Sequence, residues 1–244
     1  SYILDIYKYL EYIKKDYNQT TNNDIYNYLK YLSKDKYSVY SVARKISSIK
    51  SFYNYLDNED IYILEVNIER PSFYKKLPTI LSIYEVDKLL DIKLNTPYDY
   101  RNKAMLELMY ATGLRVSELV SLTSNNIDLE SNIVRCYGKG NKERTVYLNN
   151  ACQKAIAEYM KKRPNDGVKD KALFLSSRNQ RISPKTVQNI VYSYLDKAGL
   201  GDRGLSVHKL RHTAATLMYQ HGNVDLLLLK EILGHENLGT TEIY

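Results

Sequence analysis

Apolar residues recur with a helical period along most of this chain, and that period stops in only two places. Near the start, Ile6, Tyr9, Leu10 and Ile13 follow it. Asn22 or Asn23 can cap a second segment that carries Ile25, Tyr28, Leu29 and Leu32. Ser38 can cap a longer third segment. Its Val42, Ile46, Ile49, Tyr53 and Leu56 share one face, which turns Arg44, Lys45, Ser47, Ser48, Lys50 and Ser51 outward. The first break is the basic stretch from Glu69 to Pro78, bracketed by Pro71 and Pro78, which reads as a linker. A new capped helix starts at Ser82, and helices follow to about Leu122. At the second break, Ile133–Tyr137 and Thr145–Leu148 flank the polar run Gly138-Lys139-Gly140-Asn141-Lys142, a β-hairpin signature. Helices resume from Asn149. The pattern predicts a mainly α protein: a helical domain over residues 1–67, a linker over 68–78, and a mixed α/β, mostly helical domain with a small antiparallel sheet over 79–244.

The chain has 244 residues, a net charge of +7 and 44% hydrophobic residues, enough for two modest cores. The basic balance favours a polyanionic partner. No apolar run approaches a membrane span, and the start does not read as a signal peptide. Cys136 and Cys152 have no paired spacing, which suits a reducing cytoplasm. The 25 tyrosines, against 3 phenylalanines and no tryptophan, mean that abundance alone cannot single out a reactive one.

Four segments carry chemistry. In Ala111-Thr112-Gly113-Leu114-Arg115-Val116-Ser117-Glu118-Leu119, Gly113 can end one helix and Ser117-Glu118 open the next, with Arg115 between them. An isolated arginine at a helix start is usually a surface residue. In His208-Lys209-Leu210-Arg211-His212, a helix places His208 and Arg211 on one face. His208 and His212 also have the spacing of a metal-ligand pair. The glutamate of an HExxH motif is absent, however, and neither cysteine is near in sequence, so His212 reads as structural and no metal is expected. In the third segment Gly234 fits a helix C-cap, His235 follows it, and Tyr244 stands nine residues on, after Thr240-Thr241-Glu242-Ile243. A histidine there can also be an exposed one favoured by the helix dipole. Lys139 sits in the hairpin turn, where most lysines are simply solvated. No GxxxxGK(S/T) loop is present, so nucleotide binding has no support.

Taken together, these segments resemble the tyrosine recombinases, the phage-integrase-like family, and most closely their Xer branch. The resemblance covers nearly the whole chain and is strongest over residues 100–244. It implies a helical, SAM-like core-binding domain followed by a catalytic domain, clamped around a double-stranded DNA recombination site. It implies that Tyr244 is the nucleophile and Lys139 the general acid. Arg115, His208, Arg211 and His235 would stabilise the transition state, because arginine forks hold phosphate oxygens and stay charged. Neither ATP nor a metal cofactor is implied, since bond energy is kept in a 3′-phosphotyrosyl link. DNA contacts are expected at Arg44, Lys45, Lys50, Lys142 and Arg144. The partners implied are DNA and further recombinase subunits, in a tetrameric synapse passing through a Holliday junction. The place implied is the cytoplasm, on the nucleoid. Against the family pattern both ends read as clipped, with a helix expected before Ser1 and another after Tyr244. Xer-like dimer resolution is the leading reading. The alternatives are an integrase of a phage or conjugative transposon, a type IB topoisomerase, and a catalytically silent DNA-binding regulator.

Overall fold

The computed structural model describes residues 2–35, 37–69, 79–138, 142–164, 171–235 and 237–241. The chain divides into two compact units, Ser1–Lys76 and Leu77–Tyr244. Most of the segment expected as a linker, 70–78, lies outside the described residues. Among the described residues, no helix is long and apolar enough to cross a membrane.

The N-terminal unit holds α1 (Tyr2–Ile13), α2 (Asn22–Lys34) and α3 (Val39–Asn58). Thr21, rather than Asn22 or Asn23, caps α2: its Oγ1 accepts from the Asp24 N–H while the Asp24 carboxylate accepts from the Thr21 N–H at 3.0 Å. Asp24 thus completes a reciprocal cap in a role more often played by Glu or Gln. Ser38 caps α3 as expected. Tyr9, Ile25, Tyr28, Leu32, Ile49, Tyr53 and Leu56 form the core. Tyrosines fill a core this way only if their hydroxyls are satisfied. Those of Tyr9 and Tyr53 meet at 3.3 Å, and burial pushes the Tyr9 hydroxyl far above its ordinary pKa, so it stays neutral.

The outward face expected of α3 needs correction. Lys45 and Ser48 are buried, because α1 packs over that side of α3 and brings in Asp5. The Asp5 carboxylate pairs with Lys45 at 3.1 Å and with Arg44, and accepts from Ser48 Oγ at 3.2 Å. Lys45 also lies over the Tyr37 ring. Arg44 is exposed and Lys50 half-buried.

The C-terminal unit contains α4 (Ile83–Leu90), α5 (Pro97–Thr112), α6 (Val116–Ser121), β1 (Ile127–Asp128), β2 (Ile133–Tyr137), β3 (Glu143–Tyr147), α7 (Asn150–Lys162), α8 (Pro184–Lys197), α9 (Val207–His221) and α10 (Leu226–Leu233). Helix α5 is buried nearly all round and packs against α7 and α9, which makes it the axis of this unit. The sheet is antiparallel, in the order β1-β2-β3. Its two-residue first strand is too short to show a period in the sequence. The register sets Val134 opposite Val146 and Cys136 opposite Arg144. Val134, Cys136 and Val146 face the core, while Arg135, Tyr137 and Tyr147 face solvent. Arg144 shares the inward side, which decides its role below.

Candidate active site

The site forms where four chain segments end. Helix α5 stops at Gly113, whose φ of +60° suits glycine, and a Cβ there would come within 2.8 Å of the Leu233 side chain. The chain turns, and Arg115 becomes the N-cap of α6. Helix α9 carries His208 and Arg211 one turn apart, with Arg211 buried and His208 exposed. Helix α10 stops at Gly234, where φ is +63° and a Cβ would come within 2.9 Å of Arg144 Nη1. His235 follows directly. The base of the hairpin closes the set: the Gly138 N–H donates to the Lys142 carbonyl at 2.8 Å.

A buried carboxylate, that of Glu118 on α6, gathers the cations. The Arg115 N–H donates to its Oε2 at 2.7 Å and Arg115 Nη1 to its Oε1 at 3.0 Å. Arg144 approaches with both fork nitrogens, Nη1 to Oε1 at 3.0 Å and Nη2 to Oε2 at 2.8 Å. Arg211 Nη1 lies 3.9 Å from Oε2. Burial alone would push the Glu118 carboxyl up. The Arg144 and Arg115 hydrogen bonds and charges outweigh it and hold the group below the usual range, so it is an anion. Three guanidiniums around one carboxylate leave a local excess of positive charge. Glu118 was not among the residues expected at the site. Its position three residues after Arg115, where a helix-opening glutamate reaches back to the cap, is the local signal for it.

Arg211 is fixed by backbone. Nη1 donates to the Gly113 carbonyl, and Nη2 donates to the Leu233 carbonyl at 2.7 Å and to His235 Nε2 at 3.0 Å. A guanidinium only donates, so Nε2 accepts and the neutral ring carries its hydrogen on Nδ1. Nδ1 then donates to Thr241 Oγ1 at 2.9 Å, and Thr241 is itself buried. Burial, followed by the Arg211, Arg115 and Arg144 charges, lowers the His235 pKa to about 4. Neutral His235 thus adds no charge to a site already rich in cations. Thr241 was not singled out in the sequence either.

The structure therefore brings Arg115, Arg211 and His235 together, with His208 one turn from Arg211. Lys139 and Tyr244 lie outside the described residues. Lys142 is exposed and lines, with Arg144, Lys230, Gly234 and His235, a cleft of about 300 Å³ beside the hairpin. Arg144, expected on DNA, is instead an internal strut, because the strand register turns it inward onto Glu118. Arg44, Lys45 and Lys50 belong to the N-terminal unit, where Lys45 is spent on Asp5.

Comparison with known proteins decides what this arrangement belongs to. The phage integrase family model matches residues 80–244, and the phage integrase N-terminal SAM-like domain matches residues 1–60. The chain belongs to the phage integrase family, as a tyrosine recombinase of the Xer type. It is 48% identical over 206 residues to the tyrosine recombinase XerC of Caldanaerobacter subterraneus, a match spanning 83% of this chain and 58% of that protein. It is 39% identical to the tyrosine recombinase XerD of Oceanobacillus iheyensis, across 100% of this chain and 85% of that one. Among solved structures, the XerH site-specific recombinase bound to a palindromic difH substrate in a post-cleavage complex superposes with a TM-score of 0.82 at 26% identity. That superposition covers 100% of this tyrosine recombinase and 74% of XerH. The expectation of a mainly helical fold with a small antiparallel sheet and a SAM-like N-terminal domain holds.

Proposed function

We propose that this protein cuts and rejoins DNA at a specific site by covalent phosphotyrosyl chemistry. The Tyr244 hydroxyl gives up its proton to solvent as its oxygen attacks the scissile phosphorus, the bond from phosphorus to the 5′ oxygen breaks, and Lys139 gives that oxygen a proton. The product pair is a 3′-phosphotyrosyl link and a free 5′-hydroxyl. The 5′-hydroxyl of a partner strand then attacks the link and releases Tyr244. One phosphodiester is consumed and one formed, so the sequence of steps balances without ATP. Arg115 and Arg211 hold the non-bridging oxygens, with His208 and His235 beside them. Preorganised positive charge of this kind is usually the largest catalytic contribution.

One observation carries the reading: Arg115 and Arg211 meet at the single carboxylate of Glu118, and His235, from a third segment, is bonded to Arg211. Likeness to proteins named XerC and XerD favours the biological role of resolving dimeric DNA circles, in a synapse of four subunits on the nucleoid in the cytoplasm. The test is incubation with a nicked suicide duplex of the host's dimer-resolution site, followed by a denaturing gel. A slow-migrating protein–DNA adduct is expected. Tyr244→Phe should form none while binding DNA with nearly unchanged affinity. An adduct of normal yield in Tyr244→Phe would remove Tyr244 from the mechanism.

A further inference from the structure

Arg144 takes no part in the chemistry above, yet several parts of the site meet on it. Its fork nitrogens bind both oxygens of Glu118, which also holds Arg115. Its Nε donates at 2.9 Å to the carbonyl of Ile232, in the last turn of α10 just before Gly234 and His235. Its guanidinium fills the space beside two glycines: a Cβ on Gly138 would sit 3.4 Å, and one on Gly234 2.9 Å, from Nη1. Gly138 begins the hairpin turn that bears Lys139. The side chain is 11% exposed, and both fork nitrogens and Nε are bound within the protein.

We propose that Arg144 is a positioning residue, one that fastens the Lys139 hairpin to the start of α6 and to the end of α10. The inference rests on reading Lys139 as the general acid and Tyr244 as the nucleophile. Arg144 stands on β3, and the hydrogen bond between Gly138 and Lys142 ties the base of the turn to the same strand. Fixing the guanidinium therefore fixes Gly138 and Lys142, the described residues on either side of the turn. Arginine suits the task because its planar fork makes two parallel bonds to one carboxylate while Nε makes a third elsewhere. A lysine offers a single ammonium and cannot span Glu118 and the Ile232 carbonyl in the same way. A misplacement of about 1 Å in a reacting group can cost roughly 10²-fold in rate.

The test compares Arg144→Lys with wild type at saturating DNA on two suicide duplexes, one with an ordinary 5′ oxygen and one with a 5′-bridging phosphorothiolate. Sulfur leaves without needing a proton. The oxygen ester should be cleaved up to about 10²-fold more slowly. The sulfur ester should be less affected, so that the sulfur-to-oxygen rate ratio rises by about 10-fold or more, part of the ~10²–10⁴ that a general acid supplies. The dependence of affinity on salt should stay as in wild type. If Arg144→Lys fails to melt cooperatively, Arg144→Met carries the same comparison. It keeps a buried stem and leaves Glu118 its Arg115 and Arg211 neighbours. An unchanged rate ratio overturns the inference, whether both rates fall equally, as for general destabilisation, or neither falls. A salt slope smaller by about one with an unchanged ratio would make Arg144 a phosphate ligand and also overturn it. Lys139→Ala is the control that separates this inference from the reading beneath it. With sulfur rescue there and none in Arg144→Lys, the inference falls alone; without rescue in Lys139→Ala, the general-acid reading falls and takes the inference with it.

Discussion

Among the described residues, two buried carboxylates each gather more than one cation, Asp5 in the N-terminal unit and Glu118 in the C-terminal one. Asp5 binds Arg44, Lys45 and Ser48, all on α3, and so holds α1 against α3. Glu118 binds Arg115 and Arg144 and lies 3.9 Å from Arg211, and these arginines come from three different segments. Two cations on Asp5 leave one positive charge in excess. Three on Glu118 leave two, and Arg115 is 36% exposed, with donors still to offer. The difference teaches that basic residues in sequence do not mark a binding face. What matters is how many cations remain after the nearest buried anion is satisfied, and whether they converge.

The strongest way to break this comparison is to remove each anion. Glu118→Gln leaves buried guanidiniums without their counter-ion, and breaking a buried ion pair typically costs ~3–5 kcal/mol. Asp5→Asn should cost less, because Arg44 is already half in water and Lys45 keeps the Tyr37 ring. Thermal melting of the two variants checks the order, and an equal loss would mean that the two clusters are of one kind. Acid sharpens the contrast next. His235 is held neutral at a pKa of about 4 by burial first and then by the Arg211, Arg115 and Arg144 charges. An unfolded histidine titrates near ~6.5. The unfolded chain thus binds more protons between those values, and stability falls as pH drops through that window. His212 is shifted down too, with burial first and Arg211 next, and acts in the same direction. At lower pH still, the contribution of Glu118 is lost in turn, since the Arg144 and Arg115 bonds hold its folded carboxyl below the usual range despite its burial. Calorimetry from pH 7 to 4 should show a smaller fall in melting temperature for His235→Gln than for wild type. Parallel curves would contradict a buried neutral ring. The smallest effect belongs to two cations of α3, exposed Arg44 and half-buried Lys50. Arg44→Ala and Lys50→Ala should each lower the slope of log K against log salt by about one phosphate contact. Unchanged slopes in both would move the DNA-binding face off this helix.

The local parts of this architecture were legible in the sequence. Gly113 and Gly234 mark helix ends, Arg115 follows the first and His235 the second, and the spacing of His208 and Arg211 gives one helical face. Each of these rests on neighbours within a turn or two. The partners that arrive from afar were not legible. Lys45 looked outward because Asp5, its anion, stands 40 residues away. Arg144 looked like a DNA contact because Glu118 is 26 residues and Ile232 is 88 residues distant. One sign of its true place was available: Arg144 and Val146 alternate on the same side of β3, so the buried valine puts the arginine inward. Thr241 could not be separated from its neighbour Thr240 without the position of the His235 ring. Lys139 and Tyr244, which rest on the family resemblance, lie outside the described residues.

The most direct measurement is the single-turnover cleavage rate of Arg115→Lys and Arg44→Lys, side by side, on a suicide duplex at saturating concentration. Both substitutions keep the charge and remove the fork. The account predicts that Arg115→Lys falls by roughly 10²-fold or more, the scale of one lost transition-state donor, while Arg44→Lys cleaves at the wild-type rate. Wild-type cleavage by Arg115→Lys, or an equal loss in both variants, would contradict the claim that the cations gathered on Glu118 are the catalytic ones.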